Sequence, residues 1–180
     1  MITLTGDVDT SKTIEKLQRK GNKLWAGSIN ESFKYLSNQG KGKFGVETII
    51  QLLKQQGYDA RGINDEGDLE YKSKNDEKWI KAEVKTCTVN LDSKEESAWF
   101  NQIRPNQKSW KEVWLVSVYP NHVKIFAKSR EDFLNNVDTM DSTKRTLNHV
   151  GTNELLGVTL RPDNMKEWTL VYSNQEGGRL

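Results

Sequence analysis

The sequence predicts an α/β domain in which a central mixed β-sheet is flanked by helices. Three observations predict it. Phe44–Leu53 carries Val46, Ile49, Ile50 and Leu53 at helical spacing, which makes one apolar face. Val113–Tyr119 is a near-continuous apolar run, of the kind buried on both faces of a sheet. Helical and strand patterns also follow one another along the chain, and 180 residues fit one compact domain. We therefore expect a single domain over residues 1–174 and a flexible tail over 175–180.

In chain order, residues 1–9 read as a short strand or loose lead. Thr10–Trp25 reads as a helix through Ile14, Leu17 and Leu24, capped by Thr10 or Ser11. Ile29–Leu36 reads as a second helical piece with Phe33 and Leu36 on one face. Gly40-Lys41-Gly42-Lys43 reads as a flexible basic loop before the Phe44 helix, which stops near Gln56 and Gly57. Tyr58–Gly62 is extended. Gly67–Tyr71 and Trp79–Val89 form a hairpin around the charged turn Lys72–Lys78. Lys94–Ile103 is expected to be a helix ended by Pro105. Pro120-Asn121 turns the Val113 strand into His122–Ala127, and Ser129 caps a helix over Arg130–Val137. Leu155–Leu160 and Trp168–Tyr172 are short strand candidates.

Composition narrows the function classes. The net charge is only +2, so any nucleic-acid site must come from local clustering. Six Trp, five Tyr and five Phe supply core volume in a chain that is otherwise polar. Most tryptophans are expected in the core, with Trp110, between Lys108 and Lys111, the one suited to touching DNA. Cys87 is the only cysteine, so an intrachain disulfide is excluded, and its strand favours a small buried side chain. Two histidines and one cysteine cannot build a zinc finger. No apolar run approaches the roughly 20 residues that span a membrane. The opening residues carry no basic region followed by an apolar stretch, so a cytoplasmic, intracellular location is expected.

The chemistry concentrates in the hairpin. Side chains alternate along a strand, so Glu83 and Lys85 share one face while Ile80, Ala82 and Val84 share the other. The apolar face enters the core, and the acid and lysine are expected to point together into a cleft. Fourteen residues separate Asp68 from Glu83, enough for a turn that returns one acid to the other. Asp68 and Glu83 are hard oxygen ligands suited to Mg²⁺, and the carbonyl of Val84 is a further donor. Lys85 is placed to hold or deprotonate a water, or to neutralise a pentavalent phosphorane.

At these residues the chain resembles the PD-(D/E)xK nuclease superfamily, the fold of type II restriction endonucleases and several repair nucleases. Gly67-Asp68-Leu69-Glu70 matches the first acid and Glu83-Val84-Lys85 the E-x-K, while Glu47 matches a glutamate on the preceding helix. Trp99–Pro105, the Val113–Val118 strand and Pro120 also look like restriction-type members, and the resemblance covers about residues 40–137. It implies a restriction-endonuclease-like core and Mg²⁺-dependent hydrolysis of DNA, with Mn²⁺ as a substitute. Asp68, Glu83, Lys85 and Glu47 would be catalytic, and Asp68, Glu83 and Val84 would hold metal. The chain departs from the pattern where Gly67, not proline, precedes Asp68, which leaves Asp65 and Glu70 as competing first acids.

Lys41 and Lys43, Gln102 and Arg104 on the expected helix, and His149 are the candidate DNA contacts. Beside each stands a plainer reading as a solvated loop, helix end or surface histidine. The expected partner is double-stranded DNA, met as a homodimer or as the cleavage subunit of a heteromer with a larger recognition subunit. A junction resolvase or repair nuclease, or a non-catalytic DNA-binding module on the same fold, are the alternative functions.

Overall fold

A computed structural model describes residues 20–64, 67–92, 95–135 and 156–174. Helix α1 is described over Lys20–Trp25 and is followed by a 3-10 turn, Glu31–Tyr35, that buries Phe33. Leu36, expected beside Phe33, is exposed. Helix α2 spans Asn38–Gln55 and strand β1 Tyr58–Gly62. Strands β2 (Leu69–Ser73) and β3 (Ile80–Thr88) form the expected hairpin. They are followed by β4 (Ala98–Ile103), β5 (Glu112–Val118), β6 (Val123–Ser129) and helix α3 (Arg130–Asn135). Strands β7 (Leu156–Leu160) and β8 (Thr169–Ser173) close the order.

The chain is α/β around a mixed six-stranded sheet ordered β1-β2-β3-β5-β6-β8. Only β3 and β5 pair in parallel; every other pair in this sheet is antiparallel. One face packs on α2, where Ile49, Ile50 and Leu53 meet Leu69, Ala82, Val84 and Val116. The opposite face is covered by a second, two-stranded sheet, β4–β7. There Phe100, Ile103, Val158 and Leu160 pack with Val113, Leu115, Trp110 and Phe133. Strand β5 lies between both layers, which is why its run Val113–Val118 is apolar without alternation.

Two expectations are overturned. Gly40-Lys41-Gly42-Lys43 is not a loop but the start of α2. Ser37 caps that helix by accepting a hydrogen bond from Gly40 N–H at 3.1 Å. Each helical glycine costs about 1 kcal/mol relative to alanine, and burial of the α2 apolar face offsets it. Lys94–Ile103 is not a helix either, since β4 occupies Ala98–Ile103. Its side chains alternate, with Ala98 and Phe100 buried and Trp99 and Asn101 exposed. The partner that fixes this as a strand is β7, some sixty residues away in sequence, so the pairing is invisible locally.

Ser129 caps α3 as expected: its Oγ accepts from Asp132 N–H at 3.0 Å. Trp110, the tryptophan assigned to DNA, is fully buried and donates from Nε1 to the Arg104 carbonyl at 3.1 Å. Cys87 packs against the β4–β7 core, and burial pushes its thiol pKa up, which disfavours the thiolate.

Gly45 fixes how closely α2 approaches the sheet. It is buried, and a β-carbon there would overlap Thr86 Oγ1 on β3. Gly45→Val is expected to destabilise the fold by about 1–3 kcal/mol in urea unfolding, the usual cost of overpacking. Adding Thr86→Ala should recover part of that loss, because the clash is with the threonine itself.

Candidate active site at the free edge of the third strand

Strand β2 pairs with β3 only across Ile80–Ala82, whereas β5 follows β3 from Ala82 to Thr88. Beyond Ala82, β3 therefore has an edge that β2 does not cover. Gly67 and Asp68 lie where β2 departs. Gly67 has φ +98°, and a β-carbon there would stand 3.3 Å from the Ala82 carbonyl oxygen. Proline, locked near φ −65°, cannot adopt that backbone. The departure from the superfamily pattern thus follows from the local bend.

The bend delivers Asp68 to the free edge. Its N–H donates to the Ala82 carbonyl at 2.9 Å, and its Oδ2 accepts from Val84 N–H at 2.7 Å. The carboxylate takes the place of the missing ladder partner. In extended backbone the N–H and C=O of one residue project to the same side. The Val84 carbonyl is therefore directed to this edge, beside Asp68.

Glu83 and Lys85 share the opposite face of β3, turned toward the β4–β7 layer, and form an ion pair with Lys85 Nζ 2.6 Å from Glu83 Oε1. The buried Oε1 is thus partnered by the Lys85 ammonium alone among the described contacts. The expected shared cleft is corrected in one respect. Lys85 lines it, but Glu83 is only 2% exposed and does not line it. Burial is the main cause that raises the Glu83 pKa. Lys85 and Arg104 oppose the rise, and the charge of Asp68 adds to it.

Lys85, Asp68 and Arg104 thus each act electrostatically on Glu83. Arg104 follows β4, not a helix, and Gln102 sits on β4 at φ +61°. The register of β4 against β7 shifts between Phe100 and Ile103, so Gln102 occupies a bulge that turns outward. The cleft, about 560 Å³, is lined by Lys85, Asp68 and Val84, by Lys41 of α2, and by Trp99 and Gln102 of β4. A second cavity on the other side of Asp68 and Val84 is lined by Glu47 and Lys43. Glu47 therefore shares a cavity with Asp68 and Val84, whereas Glu83 lines neither cavity. No three His, Cys, Asp or Glu side chains cluster as metal ligands among the described residues.

Of the competing first acids, Glu70 is buried and held by Arg61, whose Nε donates to Glu70 Oε1 at 2.7 Å. Asp65 and His149 lie outside the described residues. Trp99 is the residue that sequence reasoning missed. Its signal was the alternation Ala98-Trp99-Phe100-Asn101, masked by reading the segment as helical. Comparison with protein-family models and with curated protein sequences finds no match for this chain.

Two outcomes follow from this geometry. Asp68→Asn keeps an acceptor for Val84 N–H, whereas Asp68→Ala leaves that group without its partner. The alanine variant is expected to lose about 1–3 kcal/mol in chemical denaturation, and the asparagine variant less. For Glu83, the raised folded-state pKa means that the unfolded chain releases this proton more readily. Stability is then lost as pH rises from the ordinary glutamate range through the raised value. In EDTA at pH 8, Glu83→Gln should melt a few degrees above wild type by circular dichroism. That advantage should shrink as the pH is lowered toward 4.

Proposed function

We propose that this chain is a Mg²⁺-dependent DNA endonuclease on a restriction-endonuclease-like core. The observation that carries the reading is the convergence of Asp68, the Val84 carbonyl and the Glu83–Lys85 pair at the one stretch of β3 that β2 leaves uncovered. A buried carboxylate with a raised pKa costs stability, and such groups cluster where chemistry uses them. A non-catalytic binding module has no use for that cost.

The donor set fits Mg²⁺. Two carboxylates and a main-chain carbonyl are hard oxygen donors, and an octahedral ion completes its shell with water. Glu83 Oε1, buried, already faces a cation, the Lys85 ammonium at 2.6 Å. Asp68, Glu83 and the Val84 carbonyl would hold the ion, which supplies phosphate polarisation and a more acidic bound water. The chain's own contribution is positional. Lys85 lines the cleft and directs its ammonium to a water attacking phosphorus in line, or to the phosphorane oxygens. The 3′-oxygen leaves and a 5′-phosphate remains. Lys41 and Lys43, which line the two cavities, supply cations for neighbouring backbone phosphates.

The assay is conversion of supercoiled plasmid DNA in Mg²⁺, with EDTA as control. Asp68→Ala, Glu83→Ala and Lys85→Ala are each expected to lower the rate at least ~100-fold, the scale of removing a group that stabilises the transition state. Glu47→Ala should lower it less. Wild-type activity should fall as pH drops far enough for protons to compete with the metal for the Asp68 and Glu83 carboxylates. Equal cleavage by wild type and all three core variants would sink the reading.

A further inference from the structure

We propose that Trp99 is a base-stacking platform, so that the DNA accepted at this site carries an unpaired or extruded base beside the scissile phosphate. This rests on the nuclease reading above and adds a substrate class to it.

The tryptophans differ sharply in environment. Trp25, Trp110, Trp114 and Trp168 are at most 7% exposed, whereas Trp99 is 37% exposed and lines the cleft with Lys85. Trp79 has its ring occupied by Arg61 at 4.5 Å and Lys72 at 5.4 Å. Trp99 is also held in place. Its Cη2 and Cζ2 would stand 2.6 and 2.8 Å from a β-carbon at Gly157 of β7. Gly157 does not have a positive φ, so its backbone does not require glycine. The indole requires it, because only an absent side chain lets the ring lie against the strand. Glycine in a strand interior weakens it and marks a close approach of this kind.

The surroundings select the occupant. Lys41 and Lys85 place positive charge in the cleft, suited to a phosphate backbone. Asn101 and Gln102 present amides from the same strand, and the φ +61° bulge at Gln102 turns one of them outward. Amide donors and acceptors suit base edges, and an indole face suits a base plane. Bases within a duplex have both faces covered by neighbours, so a base reaches an indole only when it leaves the stack.

The test is fluorescence anisotropy in EDTA, where binding is read without cleavage. One probe is a short labelled duplex; the other is the same duplex with a central bulge of unpaired nucleotides. Wild type is expected to bind the bulged probe roughly 10-fold more tightly, the scale of one aromatic–base stack. Trp99→Leu, apolar but without a π-face, should erase the difference between the two probes. Trp99→Phe should retain most of it. In wild type, 2-aminopurine placed in the bulge should be quenched on binding, a readout that needs no variant. No bulge preference, or a preference that Trp99→Leu preserves, overturns the proposal while plasmid cleavage leaves the nuclease reading standing. Failure of wild type to bind either probe, together with no cleavage, overturns both.

Discussion

The hydrogen bond from Val84 N–H to the Asp68 carboxylate is the contact on which the site depends. It lies where β2 stops pairing with β3. Without it, the first unpaired N–H on that edge would have no partner supplied by the hairpin. With it, a charge is pinned to the main chain of the strand whose next face carries Glu83 and Lys85. Gly67 makes the contact reachable, because its φ of +98° bends the chain before the acid. The same bond sets the Val84 carbonyl beside the Asp68 carboxylate.

Glu83 introduces a cost in stability. It is almost fully buried, beside one lysine and within the field of another acid. The sheet can bear this because both of its faces are otherwise well packed. Helix α2 seals one side with Ile49, Ile50 and Leu53, and the β4–β7 layer seals the other with Phe100, Ile103 and Val158. The rigid layers hold Glu83 and Lys85 in contact, although each would be better solvated apart.

Much of the frame was legible from residue pattern. The apolar face of α2, the β2–β3 hairpin, the doubly buried β5 and the Ser129 cap all appear where local periodicity and turn chemistry place them. Asp68, Glu83 and Lys85 were legible because strand alternation and a return turn are local rules. The failures share another cause. The basic Gly40–Lys43 stretch looks like a loop until Ser37 caps it and the sheet receives the helix behind it. Strand β4 looks helical until β7 pairs with it, and Trp110 looks exposed until the second core closes over it.

The sequence by itself determined the order of elements and which residue types could do chemistry, since both follow from short-range periodicity. Only the tertiary structure decided their exposure. It separated Asp68 from Glu70 by committing Glu70 to Arg61, placed Glu47 in a cavity with Asp68 and Val84, buried Trp110 and brought Trp99 to the cleft. These outcomes depend on pairings between distant segments. A strand's neighbours, and hence the burial and charge around each side chain, are set by which distant strand or helix packs against it.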